Sequence, residues 1–299
     1  MTTTSLAKEN TDRAEASRIM GLWRRLPVLL RAVVAGLFVF MVLQTGNTMI
    51  FLANMSTTPD IPWMVPVGLA YLWAAFQFFN GRWGPKSTAI ARRESMRARR
   101  LGRREWVAAL GAVFPVMIFF ITVTMISYRL VTVPSEELPM PELPWWSTYS
   151  ALLMISIVAG VSEEAGFRGY MQAPLEKRYD PFVAIVVASA FFWVAHLNHA
   201  NGVPRLGALF IMGASLGLLA WCARSILPAI IAHAAADTIL FMGSVSSLGP
   251  DYIWEPVPLK ESGIDGFFWI VVAIVLTSGI VSAVMLRRLA KITHSAMTT

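Results

Sequence analysis

Apolar blocks of about 20 residues follow one another along this sequence, each closed by a few polar, glycine or proline residues. A helix rises about 1.5 Å per residue, so such a block crosses a hydrocarbon layer of about 30 Å. The apolar residues fall in these blocks and not in the period-2 or period-3.6 stripes of a soluble strand or helix. The 299 residues are 56% hydrophobic and 14% charged, with a mean hydropathy of +0.58. A soluble domain carries roughly 25% charged residues. The expected fold class is all-α, a polytopic membrane bundle. The blocks follow too closely for separate domains.

Eight spans are predicted, at about 28–54, 62–80, 107–131, 147–173, 181–198, 205–222, 227–243 and 266–286. Thr58-Pro59-Asp60, Asn80-Gly81, Pro134, Pro181, Gly202-Val203-Pro204 and Gly249-Pro250 separate them. Residues 1–27 form a polar basic arm with Lys8, Arg13, Arg18, Arg24 and Arg25. The apolar block after it, 32–55, exceeds a signal-peptide core of roughly 7–15 residues and reads as an uncleaved first span. Three spans over 28–131, with a basic loop at 81–106, precede a core at 147–243; a last span and tail follow at 266–299. The single cysteine, Cys222, permits no intramolecular disulfide and reads as a small buried hydrophobe.

Charge tests the count. Eight spans put the arm, the loops at 81–106, 174–180 and 223–226, and the tail on one side, with Arg82 to Arg104, Lys177, Arg178, Arg224, Arg287, Arg288 and Lys291. The other side holds Glu136, Glu137, Glu142, Asp251, Glu255, Glu261 and Asp265, against Lys260 and the flanking Arg129 and Arg205. Lys and Arg collect on the cytoplasmic side, so both termini are expected there. The basic run at 92–104 lacks the interleaved aromatics of a stacking platform, so no nucleic-acid partner is expected. It reads as a cytoplasmic loop that can lie on anionic headgroups.

Ionisable residues inside spans are costly and mark function. Here they gather in the second half: Glu163, Glu164 and Arg168 in the fourth span, His196 in the fifth, His233 and Asp237 in the seventh. On a helix Glu164 and Arg168, four apart, share a face and form an ion pair. Glu163 is rotated about 100° from them toward the bundle interior, where a general base belongs. His233 and Asp237 also share a face, and Phe192 lies one turn before His196. Counting about 1.5 Å per residue brings Glu163 and His196 to one depth, and leaves His233 shallower. Glu163, His196 and His233 are alternative zinc ligands with an open position, although no His-Glu-x-x-His occurs. Ser162 lacks a Gly-x-Ser-x-Gly elbow and reads as packing or back-bonding. His199 reads as a loop residue, and Gly213 and Gly217 as close helix contacts.

Glu163-Glu164-x-x-x-Arg168, Phe192-x-x-x-His196 and His233-x-x-x-Asp237, in order and each on its own span, resemble the three motifs of the CAAX-protease and bacteriocin-processing family of intramembrane endopeptidases. The resemblance covers roughly 147–243. It implies a bundle of about eight helices around a conical membrane-embedded cavity and a metal-free glutamate mechanism without cofactor. Glu163 and His196 would activate water, His233 and residue 237 would stabilise the oxyanion, and Glu164, Arg168 and Phe192 would support the site. Residue 237 is often Asn in this family and is Asp here; an ionised carboxylate cannot donate a hydrogen bond. Asp237 must then be protonated, orient His233 or bind a cation. The substrate would be a membrane-associated peptide or protein, and the setting a bacterial plasma membrane. The alternatives are a non-enzymatic membrane partner, such as an immunity or scaffold protein, and a proton-coupled transporter.

Overall fold

Proline and glycine set the ends of the helices. The computed structural model describes residues 21, 23, 25–130, 143–197, 203–245 and 257–298. Most of the basic arm, Glu136, Glu137, Glu142, His199, Asp251 and Glu255 lie outside the described residues. Helix α1 (Val28–Thr57) starts after Pro27, and α2 (Met64–Phe79) stops at Asn80-Gly81, where Gly81 takes φ +68°. Helix α3 (Ala89–Met96) is short, and α4 (Arg103–Leu130) is long. Helix α5 (Trp145–Glu163) passes into a π-helical stretch, Glu164–Gln172, then a last α turn, Ala173–Glu176. Helix α6 (Pro181–Ala195) begins with Pro181 in its first turn and Asp180 accepting from the Phe182 N–H at 2.8 Å. Helices α7 (Val203–Ala223), α8 (Leu227–Val245) and α9 (Gly266–Thr298) complete the bundle.

Each of the eight predicted spans is matched by one of these helices, α3 being the extra piece in the basic loop. Four are long and apolar enough to cross a membrane: α1, α4, α5 with its extension, and α9. The apolar helices α2 and α6, of 16 and 15 residues, reach only about 22–24 Å. Large apolar side chains such as Phe38, Met49, Trp269, Leu276 and Ile280 point outward, as bilayer contact requires.

The charge-based grouping of loops is visible at both ends. At one end the segment after α3 is bolted inward. Arg97 reaches Glu176 at 2.8 Å and the Ala220 carbonyl at 2.9 Å, and Arg99 reaches Glu105 at 2.6 Å and the Ala223 carbonyl at 3.2 Å. These two arginines cap helix ends, a role better suited to their buried partners than lying on headgroups. At the other end Trp146 donates to the Asp60 carbonyl at 3.1 Å, and Ser147 to that of Pro59. There Arg129 also grips Asp265 at 2.9 and 3.2 Å and holds its carboxyl below the usual carboxylate range.

That first end also corrects the depth of His233. Ile226 is wholly buried, and its N–H donates to the Arg97 carbonyl. The turn before α8 is therefore tucked under residues 97–101, so α8 starts inside the bundle and lifts His233 to the level of Glu163.

Candidate active site

Glycines let the site's helices touch. A methyl group at Gly36 would come within 2.8 Å of the Gly166 carbonyl, and one at Gly166 within 2.8 Å of the Gly36 carbonyl, so α1 crosses the π-helical stretch there. At Gly160 a methyl would meet Ala234 at 2.9 Å, which sets α5 directly against α8 beside His233. Gly213 gives α7 the same close approach to Ser189 of α6, and Gly217 to Gln172 and Ile185. Both glycine carbonyls are then used: Arg168 donates to Gly213 at 3.1 Å and Gln172 to Gly217 at 3.0 Å.

The π-helical stretch is a departure from the uniform α-helix expected here. Continued α geometry would drive the Pro174 ring into the Tyr170 carbonyl, and proline has no N–H to donate. A wider turn relieves both, and Gly166 and Gly169 supply slim surfaces where α1 and the residues before Arg97 press on it. π-helical turns inside α-helices recur at functional sites. Every residue from Glu164 to Gln172 is buried.

Within this frame Glu163, Glu164, Arg168, Phe192, His196, His233 and Asp237 converge. Arg168, 1% exposed, donates to Glu164 Oε1 at 2.7 Å and lies 4.5 Å over the Phe192 ring. Pairing, a carbonyl and an aromatic face together offset the burial of a guanidinium. The same Glu164 Oε1 lies 2.8 Å from His233 Nδ1, a contact that the sequence did not suggest. Since a carboxylate only accepts, Nδ1 carries the hydrogen. His196 follows the last residue of α6, with Nδ1 2.8 Å from the Phe192 carbonyl. A carbonyl also only accepts, so a neutral His196 ring has its bare nitrogen at Nε2. Phe192 is fully buried between them, 4.6 Å from the His196 ring and 6.0 Å from that of His233.

The Nε2 atoms of both imidazoles lie near one carboxylate. Glu163 Oε2 is 3.7 Å from His196 Nε2 and 3.9 Å from His233 Nε2. Asp237 Oδ2 lies 3.4 Å from the same His233 nitrogen. Ser162 points elsewhere, donating to Gln44 of α1 at 2.9 Å. Among the described residues no group of three or more His, Cys, Asp or Glu side chains converges closely enough to hold a metal ion. A small void behind His233, lined by Phe120, Met212 and Ala236 among others, has room for about one water. A larger cavity of about 230 Å³ lies between α1, α2 and α5.

The residues that carry this cluster were compared with known proteins. Residues 144–239 match the family model described as Rce1-like, type II CAAX prenyl endopeptidase Rce1-like. The match spans α5 through most of α8 and includes all seven clustered residues. No curated protein and no solved structure gives a significant match. Over residues 144–239, then, this integral membrane protein is similar to the Rce1-like family of type II CAAX prenyl endopeptidases.

Proposed function

We propose that the chain hydrolyses a peptide bond of a membrane-associated substrate, using a water activated by Glu163 and His196. The observation that carries this is the spacing of Glu163 Oε2 from the two Nε2 atoms, 3.7 and 3.9 Å. Both exceed a direct hydrogen bond, yet one water molecule can touch the carboxylate and His196 together. Its proton goes to Glu163 while its oxygen attacks the scissile carbonyl. His196, held by the Phe192 carbonyl in the tautomer with a bare Nε2, shares that proton and relays it to the leaving amine as the C–N bond breaks. His233 faces the developing oxyanion with Nε2. Its Nδ1–H rests on Glu164, which favours a positive ring while negative charge builds opposite. Asp237 orients His233 from one turn away. Glu164 and Arg168 hold the arrangement, and no metal or cofactor takes part.

The family description suggests the first substrate to try, a prenylated peptide ending in a CAAX tetrapeptide. Protein reconstituted in liposomes is given a quenched fluorescent farnesylated reporter of that kind. Membranes from cells carrying wild type and Glu163→Gln are compared in parallel for peptides that only wild type removes. Wild type should cleave, survive a strong chelator and contain no stoichiometric zinc. Glu163→Gln should be inactive but folded. A fully active Glu163→Gln protein ends the proposal, and activity lost on chelation and restored by zinc replaces it with a metal mechanism on Glu163, His196 and His233.

A further inference from the structure

The cavity between α1, α2 and α5 takes no part in the mechanism above, and its walls are of two kinds. Gln44, Asn47 and Thr48 stand at i, i+3 and i+4 on one face of α1. Met154, Ile155 and Val158 of α5 face them across about 230 Å³. Thr48 and Ile155 are exposed, so the space opens sideways between α1 and α5. One end of its polar wall lies beside the turn that carries Glu163: Gln44 Oε1 accepts from Ser162, the residue before it.

We infer that this cavity holds an extended backbone segment of the substrate that flanks the scissile bond, with α1 supplying its hydrogen bonds. The inference rests on the endopeptidase proposal. A peptide must be unwound to be cut, and in hydrocarbon its freed N–H and C=O groups have no water to satisfy them. The wall offers both complements. With Oε1 turned to Ser162, Gln44 has its amide N–H groups to give to a carbonyl. Thr48 donates its hydroxyl hydrogen to the Gln44 carbonyl at 3.0 Å, which keeps its oxygen as an acceptor. Asn47 donates to the Leu43 carbonyl at 2.9 Å, while its Oδ1, packed beside Gly68, accepts from no described group. An isoprenoid or acyl chain would use none of these groups and would leave a polar wall against hydrocarbon.

Occupancy and cleavage are measured separately. The photoreactive residue p-benzoylphenylalanine is placed at Phe51, which also lines the cavity, in a Glu163→Gln background. The probe is a farnesylated fluorescent peptide ending in a CAAX tetrapeptide, and mass spectrometry maps the joined atoms. Crosslinks should fall on the peptide and be removed by excess unlabelled peptide and by Ala151→Phe, which fills the cavity. In proteins with Glu163 intact, Gln44→Leu and Thr48→Val should each raise KM about three- to tenfold with little change in kcat. Their melting temperatures verify folding, and for a variant that does not fold the crosslink alone decides. Crosslinks on the farnesyl chain alone, or none above background, overturn the inference, as does an unchanged KM in both folded variants. Wild type that captures the peptide here without cutting it contradicts the endopeptidase proposal and leaves the cavity's occupant established.

Discussion

Glu163 and Glu164 are both buried, and one residue's rotation gives them different partners. Glu164 is shared between Arg168 and His233, whereas Glu163 lies across from the two Nε2 atoms. The Glu164–Arg168 pair was legible from its spacing because the partners are four residues apart. The bond from Glu164 to His233 joins residues 69 apart and exists only because Gly160 lets α5 meet α8, so no local pattern announces it. Asp237 is where this sequence departs from the motif it resembles, and it carries a sharp expectation. If it only orients His233, Asp237→Asn keeps the shape and adds an amide donor. Activity should be kept or rise, and the pH–rate profile should broaden because one titrating group is gone. Asp237→Ala should lose about 10²–10³-fold, because a misplaced His233 forfeits its contact with the oxyanion. A folded but dead Asn variant would rule out the orienting role.

At the scale of elements, helix existence could be read from block length and punctuation, and the α2 stop at Asn80-Gly81 and the α6 start at Pro181 fall where those residues put them. The π-helical stretch could not be read so directly: Gly166, Gly169 and Pro174 signal a break as readily as a widened turn. The start of α8 inside the bundle likewise depends on Arg97 and Ile226, which sequence keeps far apart. Packing at the α5–α8 crossing can be tested by one methyl group. Gly160→Ala meets backbone as well as side-chain atoms of α8, so it should cost about 1–3 kcal/mol and lower cleavage more than the loss of folded protein explains. Gly111→Ala on α4 meets nothing within 4 Å and should leave activity unchanged and stability equal or slightly higher. Thermal unfolding in detergent with parallel activity assays compares the two. Equal behaviour of the pair would show that the crossing does not set the site.

For the whole molecule, the distribution of Lys and Arg foresaw which loops share an end, because that distribution is a property of the entire chain. What it could not foresee is that Arg97 and Arg99 would be spent inside the protein as helix caps. Orientation in the membrane is open to direct labelling. With Cys222→Ala as background, Ile264→Cys should react with a membrane-impermeant maleimide from outside intact cells, and Lys86→Cys only after the membrane is opened. Labelling of both from one side would contradict the alternating arrangement, and the reverse pattern would invert it. The central claim is that Glu163 and His196 act together on one water. A double-mutant cycle in kcat, using Glu163→Gln, His196→Ala and both together on a cleaved reporter, tests it most directly. Each single change should lower kcat by about 10³-fold, and the double should be no worse than the poorer single, because either loss already disables the shared water. Losses that multiply, or a folded single variant retaining more than about a tenth of wild-type kcat, would contradict it.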